Sequence, residues 1–244
     1  MIATASARVK GEAVKVSDGY IVSGVWRFAS GIDHAEWSMI STHLGGNDPH
    51  DHTKYIRLLI PVNEIEIVDT WHVVGMKATG SKDIKCEKVF VPDHRVINAH
   101  ESFGKNPPGS KVNPEGYLYQ VNFLPYFGSS FLGPLIGAAE GAYEAYKSIT
   151  SVKKGAIFGN SVAEQVPVQI RLSESSAELS AAVLLYENIS KILHSRGSKR
   201  EELTPEEYVL INRDRAFIAH LCVNATSRLV KQMGATGLFK DNPV

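Results

Sequence analysis

The sequence is short of cysteine. Cys86 and Cys222 are its two thiols, far apart, one in a strand pattern and the other in a helix pattern. They offer no disulfide framework and no thiolate cage for a metal, as expected of a reduced, cytoplasmic chain with buried thiols. A surplus of either charge is also lacking, since 26 basic residues face 26 acidic ones. Nothing in that balance points to a nucleic-acid partner. No apolar run approaches the roughly 20 residues that a bilayer span needs, and no basic-then-apolar leader opens the sequence, so no membrane association is expected. His43, His50 and His52 lie around residues 44–49 without a cysteine or a carboxylate–histidine spacing beside them. They read as a solvated loop, and no metal site is expected.

What is present is 43% hydrophobic residues over 244 positions, enough for one large core or two ordinary ones. Residues 1–97 read as β. Asp18-Gly19 is a tight-turn signal between a strand at 7–16 and one starting at Tyr20, with Tyr20, Val22 and Gly24 expected on one face. Further strands are expected at 37–43, 55–61, 65–70 and 84–91, at the short spacings of an antiparallel barrel or sandwich. Residues 98–119 hold Gly104, Pro107, Pro108, Gly109 and Pro114 and show no period, so they read as a connector.

From 120 to 244 the period is helical. The first helix is expected at 120–151, started or kinked by Pro125 and Pro134. The second is expected at 162–195, with Ile170, Leu172, Ala177, Leu179, Ala182, Leu185 and Ile189 as its buried stripe. Thr204-Pro205-Glu206-Glu207 is a helix start, with a capping threonine, a first-turn proline and early acids, and its helix is expected to reach Met233. Three helices of roughly 30 residues, each about 45 Å long, call for a fourth partner in an up-down bundle. The fold class expected is therefore α+β, an antiparallel β-domain followed by an incomplete helical bundle.

Two stretches carry chemistry. The first is Trp26-Arg27-Phe28-Ala29-Ser30-Gly31-Ile32-Asp33-His34-Ala35-Glu36-Trp37, where rings, a hydroxyl and a glycine meet at a strand end. The second runs from Asp69-Thr70-Trp71 through Gly75 to Thr79-Gly80-Ser81. Together they resemble the middle β-domain of the acyl-CoA dehydrogenase superfamily. The likeness is closest to its flavin-dependent monooxygenase branch, the oxygenase components of two-component aromatic hydroxylases. There, W-x-F-[AS]-S-G-x-x-H-A-x-W and D-T-W-x-V-x-G-x-x-x-T-G-S segments recur at about this spacing. The resemblance runs on through the helices to Val244. It implies a fragment, with a helical domain normally preceding residue 1 and one more helical segment normally following residue 243.

On that resemblance, Trp26, Phe28, Ser30 and Gly31 lie against a flavin isoalloxazine, with the Ser30 hydroxyl near its N5. Thr4 and Ser6 fall in the loop that faces the pyrimidine edge, and Ser41 and Thr42 are further hydroxyl candidates. A second flavin-contacting set is implied from a neighbouring subunit. Lys154, Phe158 and Gly159 stand in an element whose usual arginine is here Gly155, and Gly234 and Gly237 match a Gly-x-x-Gly element. Lys153 or Lys154 would then meet a phosphate as a point charge, which leaves FAD and FMN both open.

No acid lies between Glu115 and Glu140, whereas Tyr126, Phe127 and Phe131 do. The resemblance places the base of some thioester dehydrogenases in this segment, so an acid-free aromatic lining favours a phenolic ring as substrate. The leading reading is thus a monooxygenase oxygenase component that takes reduced flavin (FADH2 or FMNH2) from a separate NAD(P)H:flavin reductase. With O2 as co-substrate it would hydroxylate a small phenol through a C4a-hydroperoxide, as a homotetramer. His34, His72 and His220 read as structural, and the catalytic histidines are expected in segments outside this sequence, so the chain alone is expected to be inactive. An acyl-CoA dehydrogenase or oxidase is the alternative, and a non-catalytic assembly subunit the second.

Overall fold

Strands β1 (Ile2–Thr4), β2 (Glu12–Val16), β3 (Gly19–Ala29) and β4 (Trp37–Leu44) open the first of two units, Met1–Val112 and Asn113–Val244. They are followed by β5 (Tyr55–Pro61), β6 (Glu66–Val68), β7 (Lys82–Pro92) and β8 (Val96–Asn98). This is a computed structural model, and it describes residues 2–4, 11–45, 51–103, 107–155, 159–239 and 242–244. Ser6, His50 and Phe158 lie outside the described residues.

The eight described strands form one sheet in the order β6-β7-β3-β2-β4-β5-β8, with β1 beside β4. The all-antiparallel expectation needs correction, because β1 and β2 both pair with β4 in parallel. Both lie along one flank of β4, and the chain through β3 supplies the crossover that parallel pairing needs. Among the described residues the path runs open from β6 to β8 rather than closing as a barrel.

Strict alternation on β3 also fails, because two bulges interrupt its pairing with β7. Between Val22 and Gly24 the extra residue is on β7, where Lys88 has φ 55° and donates its N–H to Ser23 Oγ. Between Trp26 and Ala29 the extra residue is on β3, where Phe28 has φ 65°. Val22 and Trp26 point into the core by alternation, and the second bulge brings Ala29 to the same face, with Ile40, Leu58, Ile60 and Ile84.

The segment read as a connector carries two short helices, α1 (Ala99–Phe103) and α2 (Gly109–Val112). In the second unit the expected first helix is two, α3 (Phe123–Ser130) and α4 (Leu132–Val152). Pro134 accounts for the break: it has no N–H for the Ser130 carbonyl four residues back, and its ring would clash there. α5 (Val166–Lys199) and α6 (Pro205–Met233) complete the bundle. Leu179, Ala182 and Ile189 of the expected α5 stripe are buried with Ile211, Ile218 and Ala225 of α6, but Ile170 and Ala177 are exposed. Thr204 and Glu207 form a reciprocal capping box at the start of α6. No helix among the described residues is long and apolar enough to cross a membrane.

Candidate functional site

The end of β3 is built by its bulge. The extra residue turns Phe28 outward, 51% exposed, where its ring meets Trp71 edge-on at 6.1 Å and the Arg27 guanidinium at 5.4 Å. Ser30 follows, exposed, and then Gly31 at φ 78°, a conformation that favours glycine. Trp26 behaves differently. Its ring is fully buried and its indole N–H donates to the Ser41 carbonyl at 2.8 Å, so it is a core side chain and offers no face to a ligand. Thr42 is likewise buried, on the inward face of β4. Thr4 ends β1.

The second stretch folds against the first. The Gly31 N–H donates to the Thr79 carbonyl at 3.2 Å, and Ser30 Oγ lies 2.9 Å from Ser81 Oγ. Ser81 Oγ is in turn 3.2 Å from Thr79 Oγ1, whose proton goes to the Met76 carbonyl at 2.8 Å. Trp71 donates its indole N–H to the same carbonyl, closing the loop on itself. Lys82 and Asp33 pair at 2.9 Å beside it. The contacts between the two stretches join residues some fifty positions apart, and they bring Ser81 and Thr79, which the sequence offers only as motif letters, to this candidate site. His34 and His72 are exposed on this unit, and His220 is exposed on α6.

In the helical unit, the three aromatics expected to line one pocket divide. Tyr126 joins Ser129, Ser130, Tyr186, Ser190 and His194 around a cavity of about 330 Å³. Tyr117 also borders it, its hydroxyl 3.0 Å from His194 Nδ1. Phe127 and Phe131 instead form a row with Phe123 along another face, the first pair stacked at 5.5 Å and the second edge-on at 5.2 Å. Both are about half exposed. Lys154 sits after α4, exposed, in an isolated bridge with Ser161. Gly234 ends α6 at φ 64°, and Gly237 lies so close to the Val230 carbonyl that a Cβ would come within 2.9 Å of it.

Residues 130–244 match the family described as acyl-CoA dehydrogenase, C-terminal domain. The crystal structure of 3-HSA hydroxylase from Rhodococcus sp. RHA1 superposes on 99% of this chain with a TM-score of 0.87 at 28% identity. The C-terminal helical residues of this chain are thus similar to the acyl-CoA dehydrogenase family. The chain is 32% identical over 236 residues to the oxygenase component of an FADH(2)-dependent resorcinol hydroxylase from Rhizobium sp., matching 93% of this chain. It is 29% identical over 242 residues to the oxygenase component of p-hydroxyphenylacetate 3-hydroxylase from Acinetobacter baumannii, matching 98% of this chain. The chain spans 57% of each of these two relatives and 62% of the 3-HSA hydroxylase chain.

Proposed function

We propose that this chain is part of the oxygenase component of a two-component flavin-dependent monooxygenase that hydroxylates a small phenol. Reduced flavin, FADH2 or FMNH2, would come from a separate NAD(P)H:flavin reductase, with O2 as the second substrate. The observation that carries the reading is the end of β3. There a bulge presents an outward ring at Phe28, a hydroxyl at Ser30 and backbone without a Cβ at Gly31, all braced by Thr79 and Ser81. A flat tricyclic ring can lie against such a surface, and these residues fit it. When bound, the flavin supplies the activated oxygen atom.

The chain's own residues hold and shield. Ser30 would take the ring's N5 edge, Phe28 and Trp71 would keep water from it, and Gly31 would let the ring approach the backbone. Lys154 would meet a phosphate as a point charge, with Phe158, Gly234 and Gly237 in the same set from a neighbouring copy. Tyr126, beside its cavity, would receive the aromatic substrate, and Phe127 and Phe131 would offer it a ring-lined surface on a separate face. α5 and α6 expose Leu184, Val209, Phe217 and Val223, which supports burial in a homotetramer. The deciding experiment supplies the full-length protein with reductase, NAD(P)H, flavin and simple phenols, and measures hydroxylated product against O2 consumed. Bleaching of bound flavin by an acyl-CoA, with no phenol hydroxylated, would refute the reading.

A further inference from the structure

The hydroxyls behind Ser30 have a fixed direction. Thr79 Oγ1 has one proton and gives it to the Met76 carbonyl at 2.8 Å, because a carbonyl can only accept. Its 3.2 Å contact with Ser81 Oγ must therefore have Ser81 as donor. With that proton committed, the 2.9 Å bond between Ser81 and Ser30 has Ser30 as donor. Ser30, exposed at the end of the series, turns only lone pairs outward. Ser81 is 5% exposed, so solvent competes poorly for its proton. The scaffold is separate from this relay: Gly31 holds the Thr79 carbonyl through backbone, and Lys82 pairs with Asp33.

We infer that Ser81 and Thr79 are positioning residues that lock Ser30 as a hydrogen-bond acceptor, so that this site selects a ligand with an N–H over one with a bare ring nitrogen. On the flavin reading, upon which this rests, the choice is between two states of one cofactor. Reduced flavin carries a proton at N5 and satisfies Ser30, whereas oxidised flavin presents a lone pair to a lone pair. An oxygenase fed by a diffusing reduced flavin gains from that discrimination, because oxidised flavin would otherwise compete for the site.

The test uses the full-length protein and measures dissociation constants for reduced flavin, under anaerobic conditions, and for oxidised flavin, with FAD and FMN in turn. Ser81→Ala and Thr79→Val each free the Ser30 proton to point outward. Each should lower the preference for reduced over oxidised flavin by about three- to tenfold, the worth of one neutral hydrogen bond. Thr79→Ser, which keeps the donor, should restore the parent ratio. If Ser30→Ala changes the ratio but Ser81→Ala and Thr79→Val leave it unchanged, the relay is overturned while the flavin site stands. If Ser30→Ala alters neither constant, the flavin site itself is misplaced, and the relay falls with it.

Discussion

The turn from α5 to α6 makes a measurable prediction. Thr204 Oγ1 accepts from the Glu207 N–H at 3.2 Å, and Glu207 Oε2 accepts from the Thr204 N–H at 2.9 Å. Arg196 on α5 forks the same carboxylate, with Nε 2.9 Å from Oε2 and Nη2 2.9 Å from Oε1. Thr204→Ala deletes one of the two reciprocal bonds and leaves the Glu207 N–H without its cap. Losing such a cap costs about 1 kcal/mol, within a range of roughly 0.5–2. In a chain of this size that lowers the unfolding midpoint by about 2–4 °C. The assay has an internal partition: Trp26, Trp37 and Trp71 all lie in the first unit, while α4 to α6 lie in the second. Far-ultraviolet circular dichroism therefore follows the helical unit, and tryptophan emission follows the β unit. The dichroism midpoint should fall in Thr204→Ala and stay put in Thr204→Ser. A midpoint unmoved in Thr204→Ala, or lowered equally in both variants, would refute the argument.

Three further outcomes are expected. The Arg196 guanidinium, followed by the Thr204 N–H, holds the Glu207 carboxyl below its ordinary 4.5. Its contribution to stability should be complete above that pH and lost as pH falls through the depressed value, so the parent and Glu207→Gln should converge in acid unfolding curves. Burial, helped by Glu64, pushes the Cys86 thiol up to about 12, and burial also raises Cys222, so neither should react with a thiol reagent in mildly alkaline buffer until the protein is unfolded. In the full-length enzyme, Ser30→Ala should raise the share of oxygen released as hydrogen peroxide about three- to tenfold, read by a catalase-coupled oxygen electrode, since one neutral hydrogen bond is worth about 0.5–1.5 kcal/mol.

Much of this architecture is written locally. Asp18-Gly19 announces the hairpin of β2 and β3, and Thr204 to Glu207 announce α6, because a turn or a cap is decided by a few adjacent residues. The parallel pairing of β1 and β2 with β4 is decided by residues more than twenty positions apart, and no local pattern encodes it. The bulges were illegible for another reason: Phe28 and Lys88 occupy a backbone region where glycine or asparagine is the usual signal. A period of two from Val22 does reach Trp26 on the buried face, but it would turn Ala29 outward, and the extra residue at Phe28 brings Ala29 into the core instead. The motif letters around Ser30 and Ser81 belong to two stretches that the fold brings together, but the order of protons between them needs distances.

Those hydroxyls sit beside a loop whose side chains have a chemical exposure of their own. If the reaction proposed here misfires, peroxide is released next to residues 71–79. Neither thiol is a ready target, because Cys86 and Cys222 are buried and protonated. Met76 is 76% exposed, in contrast to the buried Met233. Its thioether is the soft atom nearest in sequence to the relay, and its own carbonyl anchors Thr79 and Trp71. Oxidation would convert this apolar side chain to a polar sulfoxide at the residue on which the relay terminates. Wear from turnover would then be recorded at Met76 before it reached either core.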